Sequence, residues 1–149
     1  MQILPLSLEH ADAAARLWSE CGLTRPWNDP QADFRMAASG AASEVLGALA
    51  DDTLVGTVMV GHEGHRGWIY YLAVAPEHRG GGLGRTLVRA AEEWVESQGI
   101  PKVMLMIRAE NDEVARLYED LGYVDQGVRV LGRFLDEDLQ RMREQTAGG

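Results

Sequence analysis

Residues 74–85 read Val74-Ala-Pro-Glu-His-Arg-Gly-Gly-Gly-Leu-Gly-Arg85. The apolar run Trp68-Ile-Tyr-Tyr-Leu-Ala-Val74 leads into this stretch and reads as a buried strand. Pro76 stops it, because proline has no N–H to give a ladder. After the glycines a helical pattern opens. Leu83, Leu87, Ala91, Trp94 and Val95 share one face, and Arg85, Arg89, Glu92, Glu93 and Glu96 share the other. Glycines let a backbone approach a ligand closely. The first N–H groups of a helix have no internal partner and lie at the positive end of its dipole. Strand, glycine loop and helix therefore make a phosphate-binding layout. Several such N–H bonds at about 1 kcal/mol net each, with a dipole contribution, suffice for a diphosphate.

The loop is not a Walker A motif, since no Gly-Lys-Ser/Thr closes it. Nor is it the dinucleotide fingerprint. Counting Gly-x-Gly-x-x-Gly from Gly80 puts Arg85 at the third glycine, and counting from Gly82 puts Leu87 there. What remains is Arg79-x-x-Gly82-x-Gly84 behind a strand ending Leu72-Ala-Val-x-Pro76. This resembles the acetyl-CoA pyrophosphate loop of the GCN5-related N-acetyltransferases, the GNAT family. The structural alternative is a tight turn whose glycines serve only positive φ.

A second pattern lies downstream: Asn111-x-x-x-Ala115-x-x-Tyr118-x-x-x-Gly122-Tyr123. It resembles the other GNAT signature, an Asn before a short helix, then a Tyr, then Leu-Gly-Tyr or Leu-Gly-Phe. The two patterns stand in the family's order with one strand between them. The likeness covers residues 44–133.

The chain has 149 residues and 46% hydrophobic content, enough for one domain with a real core. Mean hydropathy is −0.20. No apolar stretch reaches membrane-spanning length, and no secretory signal is expected at the N-terminus. One cysteine, Cys21, excludes an internal disulfide and fits a cytoplasmic location. The net charge of −9 disfavours nucleic acid and anionic membrane, which need clustered Lys/Arg. It suits a cationic acceptor such as an amine. A homodimer is compatible with the composition.

Gln2–Leu6 is predicted as a first strand and Ser7 as the cap of a helix running to Cys21. Leu23-Thr-Arg-Pro-Trp-Asn-Asp-Pro30 is a stiff loop, in which Asp29 and Pro30 start a second helix through Ser39. Residues 44–50 and 53–62 form a hairpin through Asp51-Asp52, with Gly56 marking a bulge or close approach. Gly99 and Pro101 end the long helix. Lys102–Arg108 reads as an interior fifth strand, apolar on both faces. Asp112–Leu121 is a short helix, and residues 123–135 hold one or two final strands. Phe134 onward is charged and amphipathic, with a short helix before a frayed end at 146–149.

The expected class is α/β (α+β). The element order is also that of the GNAT fold, which implies a mixed sheet of six to seven strands, about four helices, and strands four and five splayed. Residues 1–149 make a single N-acetyltransferase domain on this reading.

The resemblance implies that acetyl-CoA binds as co-substrate where those strands part. Backbone groups at Leu72, Ala73 and Val74 would bond the pantetheine arm as an added strand would. Arg79, Gly80, Gly81, Gly82, Leu83, Gly84 and Arg85 would hold the pyrophosphate, and Asn111 the pantetheine or a nearby water. Helical spacing alone makes Tyr118 a core residue beside Val114, Leu117 and Leu121. The family makes it the general acid for the departing CoA thiolate, whose thiol titrates near ~8.5 if it behaves like cysteine, against ~10 for a phenol. An amine would attack the thioester directly. No base is marked among Asp29, Glu44, His62, Glu63, His65 and Glu110. His62 and His65 read as turn histidines rather than metal ligands, and no metal is expected.

Arg25, Trp27 and Asn28 on the rigid loop, with Tyr70, are the acceptor-site candidates. The alternative for Trp27 is that it folds back onto the core, and for Asn28 that it serves the turn. Tyr70 and Tyr71 alternate to opposite faces on a regular strand. The loop, Gly64-His-Arg-Gly67 and the Tyr70-Tyr71 pair resemble one bacterial subgroup, the YpeA-type acetyltransferases, with Trp68 and Ile69 departing from its small residues. A rival function is a non-catalytic acyl-CoA-binding or sensing module. It needs the Arg79–Gly84 loop but not Tyr118.

Overall fold

A computed structural model describes residues 1–146; of the expected frayed end at 146–149, residues 147–149 lie outside them. Five strands form one sheet in sequential order: β1 (Gln2–Pro5), β2 (Ser43–Ala50), β3 (Thr53–His62), β4 (Gly67–Val74) and β5 (Val103–Leu105). The first three pairings are antiparallel and β4–β5 is parallel. The helices are α1 (Ala11–Glu20), α2 (Pro30–Ser39), α3 (Leu83–Ser97), α4 (Asp112–Asp120) and α5 (Glu137–Gln145). The mixed α/β layout is as predicted, with short 3-10 turns at Leu8–His10 and Pro76–His78.

Local chemistry accounts for the boundaries. Asp29 accepts the Ala32 N–H at 3.1 Å, and Pro30 opens α2. Asp51 and Asp52 both take positive φ, at 49° and 68°, which suits a two-residue hairpin. Gly67 is required by packing: a Cβ there would lie 2.5 Å from Val95. At Gly56 a Cβ would lie 2.9 Å from Leu87, so α3 seats directly on β3.

Two cores result. On one face α1 and α2 cover the sheet with Leu17, Trp18 and Phe34 against Val45 and Val55. On the other, Leu87, Val88, Ala91 and Val95 of α3 meet Val58, Val60 and Ile69, and Tyr118 of α4 joins them.

Three expectations need correction. The sheet has five strands, not six to seven, and residues 123–135 form no strand among the described residues. Gly127 takes φ 65° and its N–H bonds to the Asp125 carboxylate, so the chain turns there. Val124, Val128, Val130, Leu131 and Leu135 face solvent rather than a partner strand. Second, the fifth strand is an edge of only three residues, because β4 diverges from it; Met106 and Ile107 beyond it are exposed. Third, Tyr70 and Tyr71 do not alternate. The β3–β4 register slips between Thr57 and Met59, with Met59 opposite Tyr70 and Thr57 opposite Ala73. β4 thus carries an extra residue, and Tyr71 sits at φ 49° in this bulge. Tyr70 follows the Met59 face and Tyr71 packs with the Trp18 cluster, so both rings lie on the α1/α2 side.

Candidate active site

Strands β4 and β5 pair only from Gly67 to Ile69, against Val103 to Leu105. Beyond Ile69 the strands part, leaving Tyr70–Val74 without a strand partner on that side among the described residues. Leu72 and Val74 turn toward the α3 core and Ala73 toward the α1 core. The Val74 carbonyl is already engaged: Arg79 Nε donates to it at 3.0 Å, and Cys21 Sγ lies 3.5 Å away. Arg79 therefore folds its side chain back over the strand end, and the loop presents its backbone.

The loop is built to stay open. Gly80 and Gly82 adopt φ 85° and 86°, a region closed to most side chains. A Cβ on Gly80, Gly81 or Gly82 would meet nothing within 4 Å. Gly82 is the N-cap of α3, and the first helical bond there runs from Thr86 N–H to the Gly82 carbonyl. Among the described residues, no hydrogen bond outside the helices and strands engages the N–H groups of Gly80 to Arg85. These amides and the helix dipole converge at the mouth of the gap. The donor set and the open space fit a diphosphate. Arg85 reaches Asp120 at 3.3 Å in an exposed pair, a link of small energetic weight.

Tyr118 of α4 packs into the same core that Leu72 and Val74 join. Its ring is 5% exposed and meets Tyr123 edge-on, centroids 5.3 Å apart. No hydrogen bond to its hydroxyl occurs among the described residues, and no buried side-chain polar atom is left unpaired. The Tyr118 oxygen must therefore reach solvent while its ring stays in the core. Burial pushes this phenol well above the ordinary tyrosine range. That favours a lasting O–H donor over a ready proton source. Tyr123 is raised further by burial and by its 2.7 Å bond to Glu92. Asn111 caps α4: its Oδ1 accepts the Val114 N–H at 3.2 Å, leaving the amide NH2 for other partners.

The α1–α2 loop meets the other face of β4. Tyr71 donates to Asp33 at 2.8 Å, Asn28 Nδ2 donates to Tyr71 at 3.4 Å, and burial first, then Asp33, pushes the Tyr71 phenol up to about 12. Arg25 donates to the Gly22 and Thr24 carbonyls and braces the loop. Trp27 is buried, and the Arg143 guanidinium of α5 lies 5.1 Å from its ring centroid. Tyr70 remains 42% exposed. Asn28, with its loop neighbours Arg25 and Trp27, thus meets β4 at Tyr71, while Tyr118 belongs to α4 and Asn111 to its cap.

Of the base candidates, partial burial raises the Glu44 carboxyl. The Arg66 N–H lowers that of Glu63. His62 Nδ1 accepts the Gly64 N–H at 2.9 Å, so it does serve the turn.

Sequence reasoning missed the residues that hold the bulge. Trp18 Nε1 donates to Thr57 Oγ1 at 2.8 Å, and Thr57 donates to the Tyr71 carbonyl at 3.0 Å. Thr57 is the one fully buried polar residue in the described core. A threonine amid Val55-Gly-Thr-Val-Met59 was the available signal.

The strands thus part beside an open glycine loop. A model of the acetyltransferase (GNAT) family matches residues 9–123, and the chain belongs to that family. Its members use acetyl-CoA as acetyl donor. The chain is similar to the ribosomal-protein-alanine N-acetyltransferase of Brucella melitensis biovar Abortus 2308, with 25% identity and a TM-score of 0.71 over 90% of this chain and 100% of that one. It shares its fold with the aminoglycoside N-acetyltransferase AAC(6')-Iy in complex with CoA, at 17% identity and TM-score 0.77 over 91% and 95% of the two chains. A transcriptional regulator from Bacillus halodurans C-125 has the same fold, at 18% identity and TM-score 0.78 over 89% and 99%.

Proposed function

We propose that the protein is an acetyl-CoA-dependent N-acetyltransferase acting on a primary amine, as one domain over residues 1–149, in the cytoplasm. The observation carrying this reading is the row of unengaged amides from Gly80 to Arg85, opening beside the unpaired side of β4. Those amides, with Arg79, would hold the pyrophosphate. The gap side of Leu72, Ala73 and Val74, once Arg79 releases the Val74 carbonyl, would order the pantetheine arm, and the Asn111 amide would add a donor. Acetyl-CoA supplies the activated acetyl thioester that a neutral amine attacks directly.

Tyr118 is the proposed catalytic residue. Its raised phenol keeps the proton at working pH and directs an O–H toward the leaving sulfur. A thiolate, with its thiol near ~8.5, is too weak a base to take that proton fully, so hydrogen bonding does most of the stabilisation. Tyr70, Asn28 and Arg25 would border the acceptor, with Trp27 as the buried wall behind them.

The similar acetyltransferases act on a ribosomal-protein alanine and on aminoglycosides. Small amines and N-terminal peptides therefore both belong in an acetyl-CoA consumption screen. Turnover with any primary amine, abolished in a Gly82 variant, supports the reading. CoA binding without turnover on any amine would replace it with a binding module.

A further inference from the structure

A second hollow lies on the α1/α2 face, at the closed end of the β4–β5 gap. Its volume is about 360 Å³, and Trp68, Tyr70, Gly61, Ser43 and Glu63 line it. Trp68 and Tyr70 are two apart on β4 before the bulge, so their side chains rise from the same face. Gly61 pairs with Trp68, and the missing side chain keeps the floor low. A Cβ on Gly61 would come within 3.2 Å of the Ala42 carbonyl and of Ser43. Tyr70 is the first β4 residue past the pairing with β5, so it borders both the hollow and the start of the gap.

Its chemistry favours a cation. Two aromatic side chains and the Glu63 carboxylate line it, groups that attract an ammonium. The Glu63 Oε1 accepts the Arg66 N–H at 2.8 Å, which fixes the carboxylate on the turn. That bond, first of all, holds Glu63 below the usual carboxylate range, so it is ionised at neutral pH. Its charge is felt at the Tyr70 phenol, which burial and then Glu63 push up. His62 also lines the hollow, and the turn's own cation is Arg66, whose guanidinium bonds to the His65 carbonyl at 3.1 Å. An overall charge of −9 adds a field that draws cations.

We propose that this hollow is a cation subsite of the acceptor site, in which Trp68, Tyr70 and Glu63 hold a second ammonium of a small aliphatic polyamine whose reacting amine lies in the gap. This deepens the acetyltransferase reading and rests on it for the reacting amine.

The test is calorimetry on the CoA-loaded protein with spermidine and with n-butylamine. Spermidine should bind about tenfold tighter or more. Glu63→Gln keeps the oxygen that accepts the Arg66 N–H and removes only the charge. It and Tyr70→Leu should each remove most of that preference, while Tyr70→Phe should retain it. Spermidine binding no tighter than butylamine, or a preference surviving both substitutions, overturns the proposal. The same titrations without CoA separate the two readings. Failure to bind CoA with the spermidine preference intact would remove the acetyltransferase reading and leave the subsite standing.

Discussion

Trp18 and Tyr71 stack nearly parallel, with ring centroids 3.8 Å apart and planes 11° from each other. One ring belongs to α1 and the other to the bulge of β4. The stack clamps a non-glycine residue in a left-handed conformation that would otherwise cost about 1–3 kcal/mol. Thr57 completes the clamp by accepting from the Trp18 indole and donating to the Tyr71 carbonyl. The bulge begins where β4 leaves β5, so this clamp also fixes the place at which the sheet opens.

Thr57→Val should break both bonds without changing side-chain shape much. It leaves a buried indole N–H and a carbonyl unpaired, at a cost of about 2–3 kcal/mol. For a chain of this size that lowers Tm by about 5–10 °C. Thermal unfolding followed by circular dichroism checks it, and an unchanged Tm would mean the bulge holds itself.

Tyr71→Phe separates the hydroxyl from the stack. Loss of the bond to the Asp33 carboxylate should cost about 1–3 kcal/mol at neutral pH. The alkaline dependence carries the sharper signature. The folded phenol is raised to about 12, so native protein keeps a proton that the unfolded chain loses above ~10. Stability is therefore full below pH ~10 and falls as pH rises toward 12. The variant should show a shallower fall in that window, with a residual slope from Tyr118 and Tyr123. Urea titrations at pH 9 and pH 11 measure the difference; parallel slopes in both proteins would contradict it.

Tyr118→Phe should lower kcat by about 10²-fold or less and barely alter CoA affinity. The ring keeps its packing, so Tm should stay close to the parent's. With the phenol raised by burial, Tyr118 should cause no loss of kcat below pH ~10. Steady-state kinetics across pH test this, and unchanged turnover with an unchanged profile rejects Tyr118 as the hydrogen-bond donor.

Gly82→Val should abolish CoA binding. A Cβ at Gly82 meets no protein atom within 4 Å, so the added carbon itself causes no clash. The β-branched residue resists φ 86°, however, and its methyls occupy the space the loop leaves for phosphate. Calorimetry with CoA decides the matter. Parental affinity in a folded variant would move the diphosphate elsewhere.

Local chemistry announced much of this architecture. Pro76, the glycine run and the α3 periodicity placed the strand, loop and helix where they stand. Asp29-Pro30, Asp51-Asp52 and Asn111 each mark a cap or turn whose requirements are met by neighbours within a few residues. Residues 123–135 depart from expectation for the opposite reason. Val124, Val128 and Val130 have strand-like composition, yet a strand exists only with a partner, and none stands there in the described chain.

The order of elements, the open loop and the tyrosine candidate were thus fixed by residues acting on near neighbours along the chain. The bulge at Tyr71, the shared face of Tyr70 and Tyr71, the burial of Trp27 beneath Arg143 and the return of Arg79 to Val74 depended on partners far away in sequence. Register slip and long-range stacking are settled by which surfaces meet after collapse, and no periodicity of two or 3.6 encodes that meeting.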